Sequence, residues 1–181
     1  MGGSLIRQAQ LGDRGAFEEL AAESIDRLYS TAILILGDRA MAEDAVQEAL
    51  IRAWRGIPRL RDLDRYGAWL HRVLVNACFD VAKRVRMPAI RLESASFADG
   101  GGSFETAVDA RDQVTRALAR LNPRERAVLV LRFFAGLSVP ELADALDVPL
   151  GTAKSRLHHA LGAMRAALDA DGRVALQGGW A

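Results

Sequence analysis

The sequence predicts an all-α protein: two small helical domains joined by a flexible linker, the C-terminal one a helix-turn-helix. Three observations carry that expectation. Apolar residues recur three and four positions apart along most of the chain, the period of an amphipathic helix rather than of a strand. The pattern lapses over 87–108, where Pro88 and the run Gly100-Gly101-Gly102-Ser103 read as a flexible connection. Residues 137–168 read as two helices separated by a tight break at Asp147-Val148-Pro149.

Composition narrows the class. Half of the 181 residues are hydrophobic and 26% are charged, the balance of a soluble globular chain. No apolar run approaches the roughly 18 residues of a membrane span, the longest candidate being 31–37. The N-terminus lacks a basic-then-apolar signal layout. A single cysteine, Cys78, excludes an internal disulfide and a multi-cysteine zinc site. A cytoplasmic protein without a cofactor is the expectation. The net charge is only +1, yet residues 1–50 hold four basic and nine acidic groups, and 51–91 hold ten basic and three acidic. Such a basic middle segment fits a local polyanion footprint; an arginine-rich solvated surface is the alternative.

Residues 1–4 read as a loose end. A helical face begins near Ile6 and continues through Phe17, Leu20, Ala21, Ser24, Leu28, Ala32 and Ile35, with Asp13 as a cap and Gly37 as the stop. Asp38 opens a second helix to about residue 57, with a core stripe of Ala42, Ala45, Val46, Ala49, Ala53 and Ile57. Its opposite face carries Asp44, Gln47, Glu48, Ile51, Arg52 and Arg55, several of them three or four apart and so side by side. By itself that face is also what a solvated helix with a Glu48–Arg52 ion pair looks like. A short basic loop, 58–65, holds Arg59, Arg61 and Arg65, and Asp64 is placed to cap a third helix from Tyr66 to about Val85. Its core face is Trp69, Leu70, Val73, Leu74, Ala77 and Val81; His71 falls at the surface or border, and Cys78 reads as buried packing. The other face presents Arg72, Asn76, Phe79, Asp80, Lys83 and Arg84. Asn76, Asp80 and Arg84, each four apart, form a straight ridge of groups that bond base edges or phosphate. An i,i+4 pair between Asp80 and Arg84 is the simpler alternative.

Beyond the linker, periodicity resumes at Asp109 with Val114, Leu118 and Leu121. Asn122 and Pro123 open the next helix as cap and first residue; Val128, Leu129, Leu131 and Phe133 form its core side, and Gly136 ends it. Ser138-Val139-Pro140-Glu141 is a capping box for a helix whose stripe is Leu142, Ala143 and Leu146. The last helix has apolar positions at Ala153, Leu157, Leu161, Met164 and Leu168, and it offers Thr152, Lys154, Ser155, Arg156 and His159 near its N-terminal end. This is the layout of a DNA-reading helix-turn-helix; the pattern alone leaves an ordinary αα-hairpin equally open. Residues 171–181 read as a frayed tail, with Trp180 as a partner anchor the alternative.

Four strings carry a family resemblance. GLSVPELADALDVPLGTAKSRLHHAL, with LNPRERAVLVLRFFAGLS leading into it, resembles the C-terminal DNA-reading module of bacterial sigma-70-family factors, the small extracytoplasmic-function (ECF) type in particular. AEDAVQEALIRAWRGI is similar to the sigma-family helix that docks on the clamp helices of the largest subunit of RNA polymerase. YGAWLHRVLVNACFDVAKRVR resembles the helix that recognises and helps melt the −10 promoter element. The resemblance implies domains at 6–86 and 109–170. It implies that Asp44, Gln47, Glu48, Ile51, Arg52 and Arg55 meet core polymerase. It further implies that Asn76 and Asp80 read −10 bases; that Arg59, Arg61, Arg72, Lys83, Arg84 and Arg86 hold the backbone; and that the 58–65 loop receives a flipped-out base. Thr152, Lys154, Ser155, Arg156 and His159 would contact the −35 element. An anti-sigma protein is a further implied partner; insertion of this chain into a membrane is not. The linker would thread toward the polymerase active site, although its acids also suit simple solubility. The chain departs from the family in carrying His159 and Leu161 where Arg is common, and Asp147 where Gly is common. Fewer fixed positive charges imply weaker, less salt-sensitive −35 binding. A stand-alone helix-turn-helix regulator of duplex operators is the alternative function. No phosphate loop, zinc-ligand cluster or nucleophile–base signature points to an enzyme.

Overall fold

Eight α-helices are formed among the described residues of the computed structural model, 2–85 and 104–178, and no strand is formed there. The N-terminal module comprises α1 (Gly2–Gln10), α2 (Arg14–Leu36), α3 (Arg39–Gly56) and α4 (Tyr66–Val85). The C-terminal module comprises α5 (Phe104–Arg120), α6 (Pro123–Leu129), α7 (Val139–Ala145) and α8 (Leu150–Gly178). Residues 87–103 of the expected linker lie outside the described residues, as does Trp180, and 104–108 already belong to α5.

Local chemistry sets the helix ends. Asp13 accepts a bond from the Ala16 amide at 3.1 Å and opens α2; Asp38 does the same for Met41 at 2.8 Å and opens α3. Between them Gly37 takes φ 74°, a left-handed position that a side chain would strain, and α2 stops there. Two expectations at this end change. The chain is helical from Gly2, so residues 2–4 are not a loose end, and the break at 11–13 divides the first helix into α1 and α2.

Within the N-terminal module α3 packs chiefly on α4 and α2. Ala42, Ala45, Ala49 and Ala53 are wholly buried. Small residues on that stripe let α3 approach its neighbours closely, and the bulk is supplied from across the seam by Leu28, Ile35, Leu36 and Leu74. Truncating one of these leucines to alanine costs about 2–5 kcal/mol.

In the C-terminal module Asn122 and Glu125 form a reciprocal capping box, with Pro123 in the first turn. The helix then changes pitch: Val130–Phe134 is a π turn, with the Ala135 amide bonded to the Val130 carbonyl at 2.9 Å. The wider turn advances the register, so Phe133 is 63% exposed rather than part of the core, its ring beside the Arg132 guanidinium. Val114 also faces outward, and Ala117 takes its place inside. The buried line of α8 runs through Ala153, Ala160 and Ala167, seven apart, with Leu157, Leu161, Met164 and Leu168 half-buried beside it. The helix continues to Gly178, so the expected tail at 171–181 is helical over 171–178.

Candidate polymerase- and DNA-binding surfaces

Three surfaces hold the residues singled out from the sequence. The first is the outer face of α3. Asp44, Gln47, Ile51 and Arg55 are exposed, Glu48 and Arg52 partly so. Ile51 is an exposed large apolar group in the middle of a polar face, a composition suited to a reversible partner contact.

The second surface is α4 and the loop before it. Arg72, Asn76, Asp80, Lys83 and Arg84 all face solvent, and Arg59 and Arg61 are exposed on the loop. The loop is built of two 3₁₀ turns, Ile57–Arg59 and Leu63–Arg65. Asp62, rather than Asp64, accepts the capping bond that starts the second turn, which leads straight into α4. Gln10 on α1 ties the loop down, its amide nitrogen donating to the carbonyls of Ile57 at 3.2 Å and Leu60 at 2.6 Å.

Arg52 joins these two surfaces. Its Nε lies 2.8 Å from Glu48 and its Nη1 2.7 Å from Asp80. Hydrogen bonding to Asp80 is the largest cause of its raised pKa. Asp80 therefore pairs across the helices with Arg52, and the expected i,i+4 alternative with Arg84 is not the pair formed. That the α3 face and the α4 ridge are joined through one guanidinium was invisible in the sequence, where Arg52 and Asp80 stand 28 positions apart.

The third surface is the helix-turn-helix. The Ser138 amide donates to Glu141 at 2.7 Å, completing the capping box of α7. The Ser138 hydroxyl and amide hold the Glu141 carboxyl below the usual range. Asp147 makes the turn at φ 53°, the left-handed region that aspartate tolerates better than most side chains. On α8, Lys154, Ser155, Arg156 and His159 are exposed and Thr152 partly so; the Ser155 hydroxyl donates to the Thr152 carbonyl at 3.0 Å. His158 and His159 are both exposed, their rings edge to face at 6.1 Å.

His71 departs from its expected place. It is buried, on a helix that packs against both α7 and α2. Its Nδ1–H donates to the Gly67 carbonyl at 2.8 Å, and Nε2 is buried without a partner. Burial lowers its pKa, against the hydrogen bond to Gly67; Arg27 acts in the same direction as burial and Glu141 opposes it. Cys78 is wholly buried as expected, and burial pushes its thiol up to about 12. Asp144, singled out by no sequence argument, lies 2.8 Å from Arg65. Among the described residues no cluster of His, Cys, Asp and Glu is suited to a metal ion, and no helix is long and apolar enough to cross a membrane.

A module with a polar–apolar docking face and a cationic ridge, followed by a helix-turn-helix, is the architecture of a promoter-specificity factor. Residues 11–86 match the family model for sigma-70 region 2, and 111–164 match that for sigma-70 region 4. The ECF RNA polymerase sigma factor SigM of Mycobacterium tuberculosis is 37% identical over 147 residues, 80% of this chain and 73% of that protein. SigW of Bacillus subtilis, another ECF RNA polymerase sigma factor, is 27% identical over 173 residues, 88% of this chain and 92% of that protein. Among solved structures, CnrH in complex with the cytosolic domain of CnrY superposes with a TM-score of 0.69 at 27% identity, covering 94% of this chain and 98% of that one. The sigma factor RpoE in complex with the anti-sigma factor NepR, from Bartonella quintana, gives 0.65 at 25% identity, covering 86% and 98%. The chain belongs to the extracytoplasmic-function sigma factors of the sigma-70 family. It is an RNA polymerase sigma factor that directs promoter-specific transcription, and a stand-alone operator-binding regulator is not favoured.

Proposed function

We propose that the division of labour follows the three surfaces, with domains at 6–86 and 109–170 joined by 87–108. The α3 face (Asp44, Gln47, Glu48, Ile51, Arg52 and Arg55) docks on core polymerase. Asn76 and Asp80 read the unpaired −10 strand, while Arg59, Arg61, Arg72, Lys83 and Arg84 hold its backbone. Thr152, Lys154, Ser155, Arg156 and His159 enter the −35 major groove, where a helix presents its N-terminal residues to base edges. The observation that carries this reading is the exposed Asn76–Asp80–Arg84 ridge, set beside the exposed α3 face and joined to it through Arg52.

No bond is made or broken by the factor itself. Contacts to the separated strand offset unstacking, which costs about a few kcal/mol per step. The nucleotidyl chemistry belongs to the polymerase; the chain acts as a cytoplasmic, cofactor-free binding protein rather than an enzyme. An anti-sigma protein is its regulatory partner, as NepR is paired with RpoE in the structure above.

Transcription with core polymerase tests this reading. Core enzyme plus the chain should initiate at a cognate promoter, and core enzyme alone should not. A chain that binds duplex promoter DNA but yields no initiation would instead be an operator-binding regulator.

A further inference from the structure

Of the 24 lysines and arginines in the sequence only two are lysines, Lys83 and Lys154. They stand on different modules. Lys83 is in the last turn of α4, and Lys154 is in the second turn of α8. Both are exposed, and among the described residues neither forms an ion pair or a hydrogen bond. Their distribution is selective. The α3 face carries its cations as Arg52 and Arg55, and the 58–65 loop carries Arg59, Arg61 and Arg65. Lysine is confined to the two surfaces assigned to DNA, one on each.

The distinction matters chemically. A guanidinium stays protonated throughout the physiological range and is a poor nucleophile, whereas an exposed lysine amine is open to acylation, which removes its charge.

We propose that Lys83 and Lys154 are acylation sites, at which an acyl phosphate removes one cation from each DNA surface and leaves the polymerase-docking face untouched. The inference rests on the proposed placing of Lys83 against the −10 backbone and of Lys154 in the −35 groove. In the step, the unprotonated Nζ attacks the acyl carbonyl carbon. An N–C bond forms, the bond from that carbon to the phosphate oxygen breaks, and phosphate leaves with the electron pair. The nitrogen gives up a proton to water, and a neutral amide stands where the ammonium was. Neighbouring cations favour the encounter. Arg84 follows Lys83, and Arg156 stands two residues beyond Lys154; both are exposed, so each amine lies in a local positive field that draws in an anionic donor. At Lys154 the exposed His158, four residues on and so beside it on the helix, offers an imidazole nitrogen to accept the departing proton.

The test treats the full chain with acetyl phosphate, maps the modified residues by peptide mass spectrometry and then assembles the chain with core polymerase. Both lysines should carry acetyl groups, and affinity for core should be unchanged. Affinity of the assembled enzyme for labelled promoter DNA should fall roughly tenfold or more, the loss expected when charge-assisted contacts are removed. The slope of log affinity against log salt should flatten by about 0.7 to 0.9 for each lysine acetylated. A Lys83→Arg/Lys154→Arg chain keeps both charges without the amines, so treatment should leave its promoter affinity at its own untreated value. The α-amine is common to both chains, and its acetylation cancels from the comparison. Lysines that stay unmodified overturn the proposal. So does acetylation of both with no loss of promoter affinity, or an equal loss in the arginine chain, or a loss of affinity for core. An untreated Lys83→Ala/Lys154→Ala chain separates the two layers of the argument. If it binds the promoter as the wild type does, the placing of these lysines against DNA has failed. If it binds weakly while the treated wild type carries no acetyl group on either lysine, that placing stands and acylation has failed.

Discussion

At the scale of single residues, Arg52 and Asp80 would each have two roles in the proposed division of labour. Arg52 belongs to the α3 docking face, yet its guanidinium spans Glu48 and Asp80. Asp80 belongs to the −10 ridge, yet one of its oxygens is held from α3. Both groups remain partly exposed, so the bridge contributes little to stability, about 0.2–1 kcal/mol per pair. Its effect is on orientation: Nε anchors the guanidinium to Glu48, and Nη1 then holds one oxygen of Asp80 from α3. Arg52→Ala should lower the urea midpoint only slightly while relaxing base preference at the −10 position proposed for Asp80. A large fall in stability with unchanged preference would make Arg52 purely structural. Cys78 gives a second residue-scale prediction. With its thiol buried and pushed up to about 12, it should react with a thiol reagent only as fast as the chain opens. Immediate stoichiometric labelling of the native protein would contradict that placement.

At the scale of elements, the ends of helices were legible because their chemistry is local. Asp13, Asp38, Asn122 and Ser138 each cap the helix that their position in the sequence predicts. Ser138→Ala should cost about 1 kcal/mol, read as a lowered urea midpoint with an unchanged slope. What escaped sequence reading has physical reasons of another kind. Phe133 sits at a helical core position, but the π turn at Val130–Phe134 rotates it outward, and no residue pattern announces that change of pitch. In α8 the leucine and methionine stripe was visible, whereas the buried line is Ala153–Ala160–Ala167, too small to stand out among other alanines. The exposure of the outer faces of α3 and α4 was legible because helical period alone decides it there. The bridge between them, and the seam to α7, depend on packing across long sequence separations.

At the scale of the whole molecule, the seam between modules gives stability a pH dependence. His71 is buried there, and its pKa lies below the ordinary imidazole value. Between the folded and unfolded values the unfolded chain holds the extra proton, so stability is fully present above about pH 6.5 and is lost as pH falls below it. Burial is the main cause; the hydrogen bond to the Gly67 carbonyl opposes it, Arg27 from α2 lowers the pKa further, and Glu141 from α7 raises it. Denaturation at stepped pH should show this decline, and His71→Gln should flatten it. An unaltered slope in the variant would place the effect elsewhere.

In the proposed division of labour, adjacent outer faces of two packed helices do separate jobs, one gripping polymerase and the other capturing the opened strand. The most direct measurement compares wild type, Asp44→Arg and Asn76→Ala, scoring core-polymerase affinity and promoter opening for each. Asp44→Arg should lose affinity for core. Asn76→Ala should bind core normally yet open the promoter poorly and with altered −10 preference. Wild-type core affinity in Asp44→Arg, together with wild-type opening and preference in Asn76→Ala, would contradict it.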